Sequence, residues 1–127
     1  MRREANFIEL KGKVLKEIKG LETGNDEVRF FTEGGNVYRM YHEQDCCESV
    51  SIEDVCGDVE DLIGSEILVA EEINNLDLGK LDEWDEYYTW TFYKLATIKG
   101  YVTIRWYGTS NGCYSESVDF EKVEDFL

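Results

Sequence analysis

Apolar side chains return at every second position along much of this chain, the period of a strand with one face buried. Residues 13–21 set Val14, Lys16 and Ile18 against Leu15, Glu17 and Lys19, which predicts a strand. Residues 27–32 and 37–41 flank Glu33-Gly34-Gly35-Asn36. Glycine and asparagine accept the positive φ of a tight turn, so this pair is predicted to be a hairpin. Further strands are predicted over 49–55 and 67–73. Between them, residues 58–63 predict one short helix. Asp58 can cap it, Glu60 and Asp61 suit its first turn, and Gly64 can stop it. Residues 74–86 read as a long acidic loop.

The strongest pattern lies further on. Residues 87–96 and 101–107 are rich in aromatic and β-branched side chains and are joined by Thr97-Ile98-Lys99-Gly100. A third strand over 115–120 follows the Asn111-Gly112 turn, since Asn-Gly is a strong hairpin cue. These three are expected to be consecutive neighbours in an antiparallel sheet. Alternation sorts Tyr88, Trp90 and Phe92 with Val102, Ile104 and Trp106 onto the core face. It leaves Thr89, Thr91 and Tyr93 with Thr103, Arg105 and Tyr107 on the other face. The expected fold is α+β, a predominantly antiparallel β-sheet with one short helix packed on it. The chain has 127 residues and no proline, repeat or low-complexity linker, so residues 1–127 are expected to form a single domain.

Charge changes the picture. The formal net charge is −15, and it is concentrated in the middle of the chain. Residues 42–86 hold sixteen acids and one base, Lys80, whereas the flanking thirds are nearly neutral. Such a stretch either keeps the surface solvated or attracts basic partners, and it repels nucleic acid. Direct nucleic-acid binding is not expected, because affinity for phosphates needs clustered Lys and Arg. No apolar run approaches the roughly 20 residues of a membrane helix, so no membrane contact is expected. The stretch Met1-Arg2-Arg3-Glu4-Ala5-Asn6 is not followed by the apolar segment of a secretory signal, which points to the cytoplasm.

Candidate chemistry is sparse. Cys46, Cys47, Cys56 and Cys113 are expected to be free thiols, and a bridge between the neighbours Cys46 and Cys47 is sterically awkward. His42, Cys46, Cys47 and Cys56 form the one set with zinc-ligand chemistry. The spacing His42-x3-Cys46 followed by a lone Cys56 lacks the paired knuckles of structural zinc sites, so no metal is expected. A Cys-His nucleophile has no oxyanion feature beside it. The acids lack calcium-loop spacing, no phosphate-binding glycine loop follows a strand and opens a helix, and Ser-His-Asp has no recognisable local signature. The chain reads as a non-enzyme without a cofactor. The polar face of the predicted meander is more suggestive, because it places Arg105 among hydroxyls and rings. An arginine there can hold a phosphate or carboxylate, and tyrosines can stack on a planar group.

Two groups of motifs resemble a known family. One is Tyr41-His42-Glu43-Gln44-Asp45-Cys46-Cys47-Glu48 with Gly57-Asp58 and Asp61-Leu62-Ile63-Gly64. The other is Thr89-Trp90-Thr91-Phe92-Tyr93 with Thr103-Ile104-Arg105-Trp106-Tyr107-Gly108-Thr109-Ser110-Asn111-Gly112. Over roughly residues 12 to 120 they are similar to small uncharacterised proteins encoded by tailed bacteriophages and prophages. The resemblance implies an aromatic where this chain has Cys113, which argues against that cysteine as a shared ligand. It carries no assigned activity. It implies a small accessory protein made in the host bacterial cytoplasm, a class that often counters host defence. Two functions follow as expectations. The first is sequestration of a small host molecule, such as a nucleotide-derived immune signal, by Arg105, Tyr107, Tyr93 and Asn111. The second is an acidic DNA mimic that inhibits a basic host nucleic-acid-binding defence protein. Homo-oligomerisation stays open under both.

Overall fold

The computed structural model describes residues 2–74 and 76–123, residues 2 and 3 by their backbone alone. Met1 of the N-terminal stretch and residue 75 of the acidic loop lie outside the described residues. The strands among them are β1 (Arg2–Glu4), β2 (Leu15–Lys19), β3 (Glu27–Thr32), β4 (Val37–Tyr41), β5 (Ser49–Cys56), β6 (Val69–Ile73), β7 (Tyr87–Thr97), β8 (Gly100–Ser110) and β9 (Asp119–Val123). They form two antiparallel sheets, ordered β1-β9-β4-β3-β2 and β5-β8-β7-β6. The expected β-rich antiparallel architecture is present. The expected short helix is a single 3-10 turn over Val59–Leu62, where Asp58 Oδ1 accepts the Glu60 N–H at 3.0 Å. A second 3-10 turn, Phe7–Leu10, was not legible in the alternation.

The two sheets share one core. Val28 and Phe30 of β3, Tyr38 and Met40 of β4, and Phe120 of β9 meet Val50, Ile52, Tyr93, Leu95, Val102, Ile104 and Trp106 of the other sheet. Burying each such side chain contributes roughly 1.5–3 kcal/mol before conformational entropy is charged against it. Trp106 Nε1 lies 3.2 Å from Met40 Sδ and donates to it across the core, so the polar edge of the indole has a partner. Phe7 closes one side, with its ring centroid 4.8 Å from that of Tyr93 and 5.4 Å from that of Phe120.

Two expectations about the meander are overturned. Strands β7 and β8 do form a hairpin, but 115–120 is not its third strand. Strand β8 runs on to Ser110, and its free edge is taken by β5, with Ile52 opposite Trp106. The chain turns at Asn111-Gly112, where Gly112 has φ +93°, and then crosses to the other sheet. There β9 lies between β1 and β4. Phe120 stacks on Tyr38 in the core at 5.5 Å, and Glu121 on the opposite side of the strand meets Arg39 at 2.9 Å. That one strand thus supplies both a core ring and a counter-charge, which a third meander position would not need.

The faces of β7 are also reversed. Trp90 pairs with Tyr107 and Phe92 with Arg105, while Thr91, Tyr93 and Leu95 pair with Trp106, Ile104 and Val102. Val102, Ile104 and Trp106 do face the core, as expected, but their companions are Tyr93 and Leu95. Trp90 is buried on the outer face of the sheet, away from Trp106. Its cover is the acidic loop.

Candidate functional site

The loop between β6 and β7 folds back over the outer face of the second sheet. Four contacts hold it there. Trp90 Nε1 donates to the Gly79 carbonyl at 2.9 Å. Tyr88 donates its hydroxyl to Asp77 at 3.0 Å. Tyr107 donates to Asp85 Oδ2 at 2.7 Å and accepts the Leu81 N–H at 3.0 Å. Gly79 has φ +86°, a conformation that side chains rarely adopt, and its N–H closes on Asp77 Oδ1 at 2.7 Å. The distal half is a turn of its own: Asp82 Oδ1 accepts the Trp84 N–H at 3.0 Å, and Asp85 N–H donates to the Asp82 carbonyl at 3.0 Å.

Burial pushes the Tyr107 phenol up to about 12, and its bond to the Asp85 carboxylate adds to the shift. Tyr107 therefore stays a donor across the neutral range and keeps the loop closed. Tyr88 is raised in the same direction, chiefly by its hydrogen bond to Asp77.

So pinned, the loop displays two kinds of side chain. Asp77, Asp82, Glu83, Asp85 and Glu86 carry charge, with Lys80 as the one base. Leu76, Leu78, Leu81 and Trp84 are exposed, the indole by 82%. A groove of about 420 Å³ runs between Trp84 and the turn after β8, lined by Cys47, Glu83, Trp84, Asp85, Glu86 and Asn111 together with the last residues of that strand.

The four residues nominated for a small ligand do not converge. Tyr93 is fully buried in the core, on the opposite face from Arg105 and Tyr107. The reason is the hairpin register, which sets odd-numbered β7 residues against the core-facing positions of β8. Arg105 is held by Glu53 at 2.7 Å and Asp54 at 3.3 Å, so its charge is already matched. The Tyr107 hydroxyl is occupied by the loop. Asn111 is exposed and its Oδ1 accepts the Cys113 N–H at 3.0 Å. Of the four, only Asn111 borders the groove.

The His42 segment is a structural clamp. His42 Nδ1 donates to the Ser117 carbonyl at 2.8 Å, and Nε2 lies 2.9 Å from Glu48 Oε2. Glu48 also accepts the Cys46 and Asp45 N–H groups at 3.0 and 2.9 Å. Those backbone bonds, with His42 adding to them, hold the Glu48 carboxyl down at about 2. Cys46 and Cys47 are disulfide-bonded, against the expectation of free thiols, whereas Cys56 and Cys113 are free and exposed. Among the described residues no three His, Cys, Asp or Glu are grouped to hold a metal. Nor is any helix among them long and apolar enough to cross a membrane.

Trp84 is the residue that sequence reasoning passed over by treating 74–86 only as an acidic loop. The available signal was an aliphatic or aromatic residue every two or three positions among carboxylates, at 76, 78, 81 and 84. A solvating segment does not need those side chains. Compared with known proteins, residues 9–120 match the family model described as a domain of unknown function (DUF7448). No curated protein and no solved structure matches the chain.

Proposed function

This chain belongs to the family described as a domain of unknown function (DUF7448), and within it we propose a non-enzymatic binding protein whose acidic face occupies a basic nucleic-acid-binding surface on a host protein. The observation that carries this reading is the pinned loop. A mobile acidic segment dissolves a protein but presents no fixed pattern of charge. Here contacts from Tyr88, Trp90 and Tyr107 fix the Asp77 and Asp85 carboxylates and hold against the sheet the loop backbone that carries Glu83 and Glu86. Glu71 extends the charge along β6, where it is exposed. Fixed carboxylates steer a basic partner and give register to the encounter. The exposed leucines and Trp84 supply apolar contact at its centre, as interfaces require.

The alternative, a trap for a small anionic host molecule, loses support because Arg105 is neutralised by Glu53 and Asp54 and Tyr93 lies in the core. The resemblance to proteins of tailed phages supplies the setting for the proposed role: a counter-defence factor acting in the host cytoplasm.

The test is affinity capture from bacterial lysate, followed by competition. Proteins retained by the wild-type chain are challenged with duplex DNA and with rising salt, beside a Glu71→Lys/Glu83→Lys/Glu86→Lys variant and Arg105→Ala. The reading expects retained nucleic-acid-binding proteins, release by DNA, steep loss with salt, and loss in the triple variant. Retained proteins that DNA does not displace, or loss of retention in Arg105→Ala with the triple variant unaffected, would overturn it.

A further inference from the structure

We infer that the groove beside Trp84 is a receptor for one arginine side chain of a protein partner. This rests on the reading of the acidic face given above and adds the residue type and the anchor point.

The indole forms one wall. It is 82% exposed, yet its backbone is held by Asp82 on one side and by the Asp85 turn on the other. A large aromatic left open on a pinned turn is unusual, because such rings normally contribute by burial. Of the carboxylates that line the groove, Asp85 is held by Tyr107, and Glu83 and Glu86 are uncommitted. Among the described residues neither Glu83 nor Glu86 has a side-chain hydrogen bond or ion pair, whereas Arg105, Arg39 and Arg29 are all already paired with acids of their own sheets. Among the described side chains no arginine of the chain itself fills the site. The groove, at about 420 Å³, falls at the low end of the roughly 300–1,000 Å³ range of ligand pockets.

Chemistry selects the occupant. The groove is lined by an exposed indole, by carboxylates and by the Asn111 turn. An anion is repelled by it. A neutral apolar group would strand the carboxylates beside a desolvated surface. A planar cation satisfies both walls: guanidinium stacks on indole and donates a fork of N–H groups to carboxylate oxygens. An ammonium gains the charge but not the stacking or the fork.

The three tryptophans make this directly measurable. Trp90 Nε1 is bonded to Gly79 and Trp106 Nε1 to Met40, so their indole N–H signals report the fold, while that of Trp84 reports the groove. The full chain labelled with nitrogen-15 is titrated with N-acetyl-arginine methylamide, and in parallel with the citrulline and lysine analogues. The expected result is a saturable shift of the Trp84 indole and the Asn111 amide, with Trp90 and Trp106 unmoved. Citrulline gives no shift, and lysine binds more weakly. Trp84→Ala abolishes the Asn111 response, and Glu83→Gln/Glu86→Gln weakens binding about tenfold. Equal response to citrulline, binding of lysine at least as tight as arginine, or an unaltered Asn111 response in Trp84→Ala would overturn the receptor. Its failure is separable from that of the wider reading. A partner retained equally by wild type and Trp84→Ala, and released by DNA, leaves the acidic face standing without the receptor. Arginine binding at Trp84 with no DNA-displaced partner leaves the receptor without the proposed function.

Discussion

On the outer face of the first sheet Arg39 is buried between Glu27 and Glu121, whereas across the second sheet Glu83 and Glu86 are exposed and have no side-chain partner among the described residues. Both faces are built from acids and aromatic rings. On the first, Arg39 Nη1 meets Glu121 at 2.9 Å and Nε lies 3.2 Å from Glu27, and the guanidinium sits 3.7 Å from the centre of the Tyr41 ring. Arg29 completes the chain at 2.7 Å from Glu27. Every member has its counterpart inside the molecule, so this face is architecture. On the second, the carboxylates that hold the loop, Asp77, Asp82 and Asp85, are hydrogen-bonded, and Glu83 and Glu86 are left over. The contrast separates charge that maintains the fold from charge available to something else. It is also the arginine–carboxylate–aromatic arrangement of the first face that the groove beside Trp84 would acquire from a partner.

The largest test of this contrast is Arg39→Ala. It takes the guanidinium from the buried Glu121 carboxylate, while Glu27 keeps Arg29, and should cost about 1.5–3 kcal/mol, the range for a hydrogen bond to a charged group. Neutralising the other face with Glu83→Gln/Glu86→Gln should move stability by no more than about 0.5 kcal/mol. Urea denaturation of both variants reads the difference, and comparable losses would erase the distinction. A second test uses acid. Glu48 has its carboxyl lowered from 4.5 to about 2, so the folded state favours the charged form. Its contribution is complete above pH 4.5 and is lost as pH falls through 2. Glu48→Gln should therefore flatten the fall in melting temperature between pH 4.5 and 2, and an unchanged acid limb would mean that the clamp on Ser117 is not held by that charge. The smallest effect concerns the loop. Tyr107→Phe removes the bonds to Asp85 and Leu81 and should cost about 0.5–1.5 kcal/mol. The phenol is raised from 10.0 to about 12, so its stabilisation is whole below pH 10 and fades as pH rises to 12. Tyr41, Tyr88 and Tyr93 are raised in the same direction, so the variant should flatten the alkaline limb only in part. Faster hydrogen exchange at Leu81 is its local signature.

Much of the architecture was legible because period-two alternation and turn chemistry agreed. The β3–β4 hairpin lies over the expected residues, and Gly35 takes φ +90° where Gly34-Gly35 predicted a turn. Asp58 caps its turn as its position suggested. The faces of β7 were harder, since Tyr88, Trp90 and Phe92 on one side compete with Tyr93 and Leu95 on the other, and hydrophobicity alone cannot choose. The connector could have chosen. A hairpin closing on Thr97 and Gly100 places even-numbered β7 residues opposite odd-numbered β8 residues, so Trp90 must lie across from Tyr107. The excursion of β9 to the other sheet was hidden because Asn111-Gly112 suits a sharp reversal wherever the chain then goes. The groove was hidden for a different reason: it is made by a loop lying on a sheet, and spacing along a loop does not say what lies beneath it.

The pairing of β9 with β4 also sets a timetable. Arg39 and Glu121 are 82 positions apart, with the whole of the second sheet between them. At a ribosomal pace of roughly 5–20 residues per second, β4 is synthesised roughly 4–16 seconds before its second neighbour exists. The β7–β8 hairpin can close on itself at once, but the first sheet waits with one edge bare. During that interval β4 presents unpaired backbone groups beside Tyr38 and Met40, a surface on which a second nascent chain can dock. The same ladder that completes the finished molecule is thus the last to be sealed, and the time before it closes is when the chain is most exposed to misassembly.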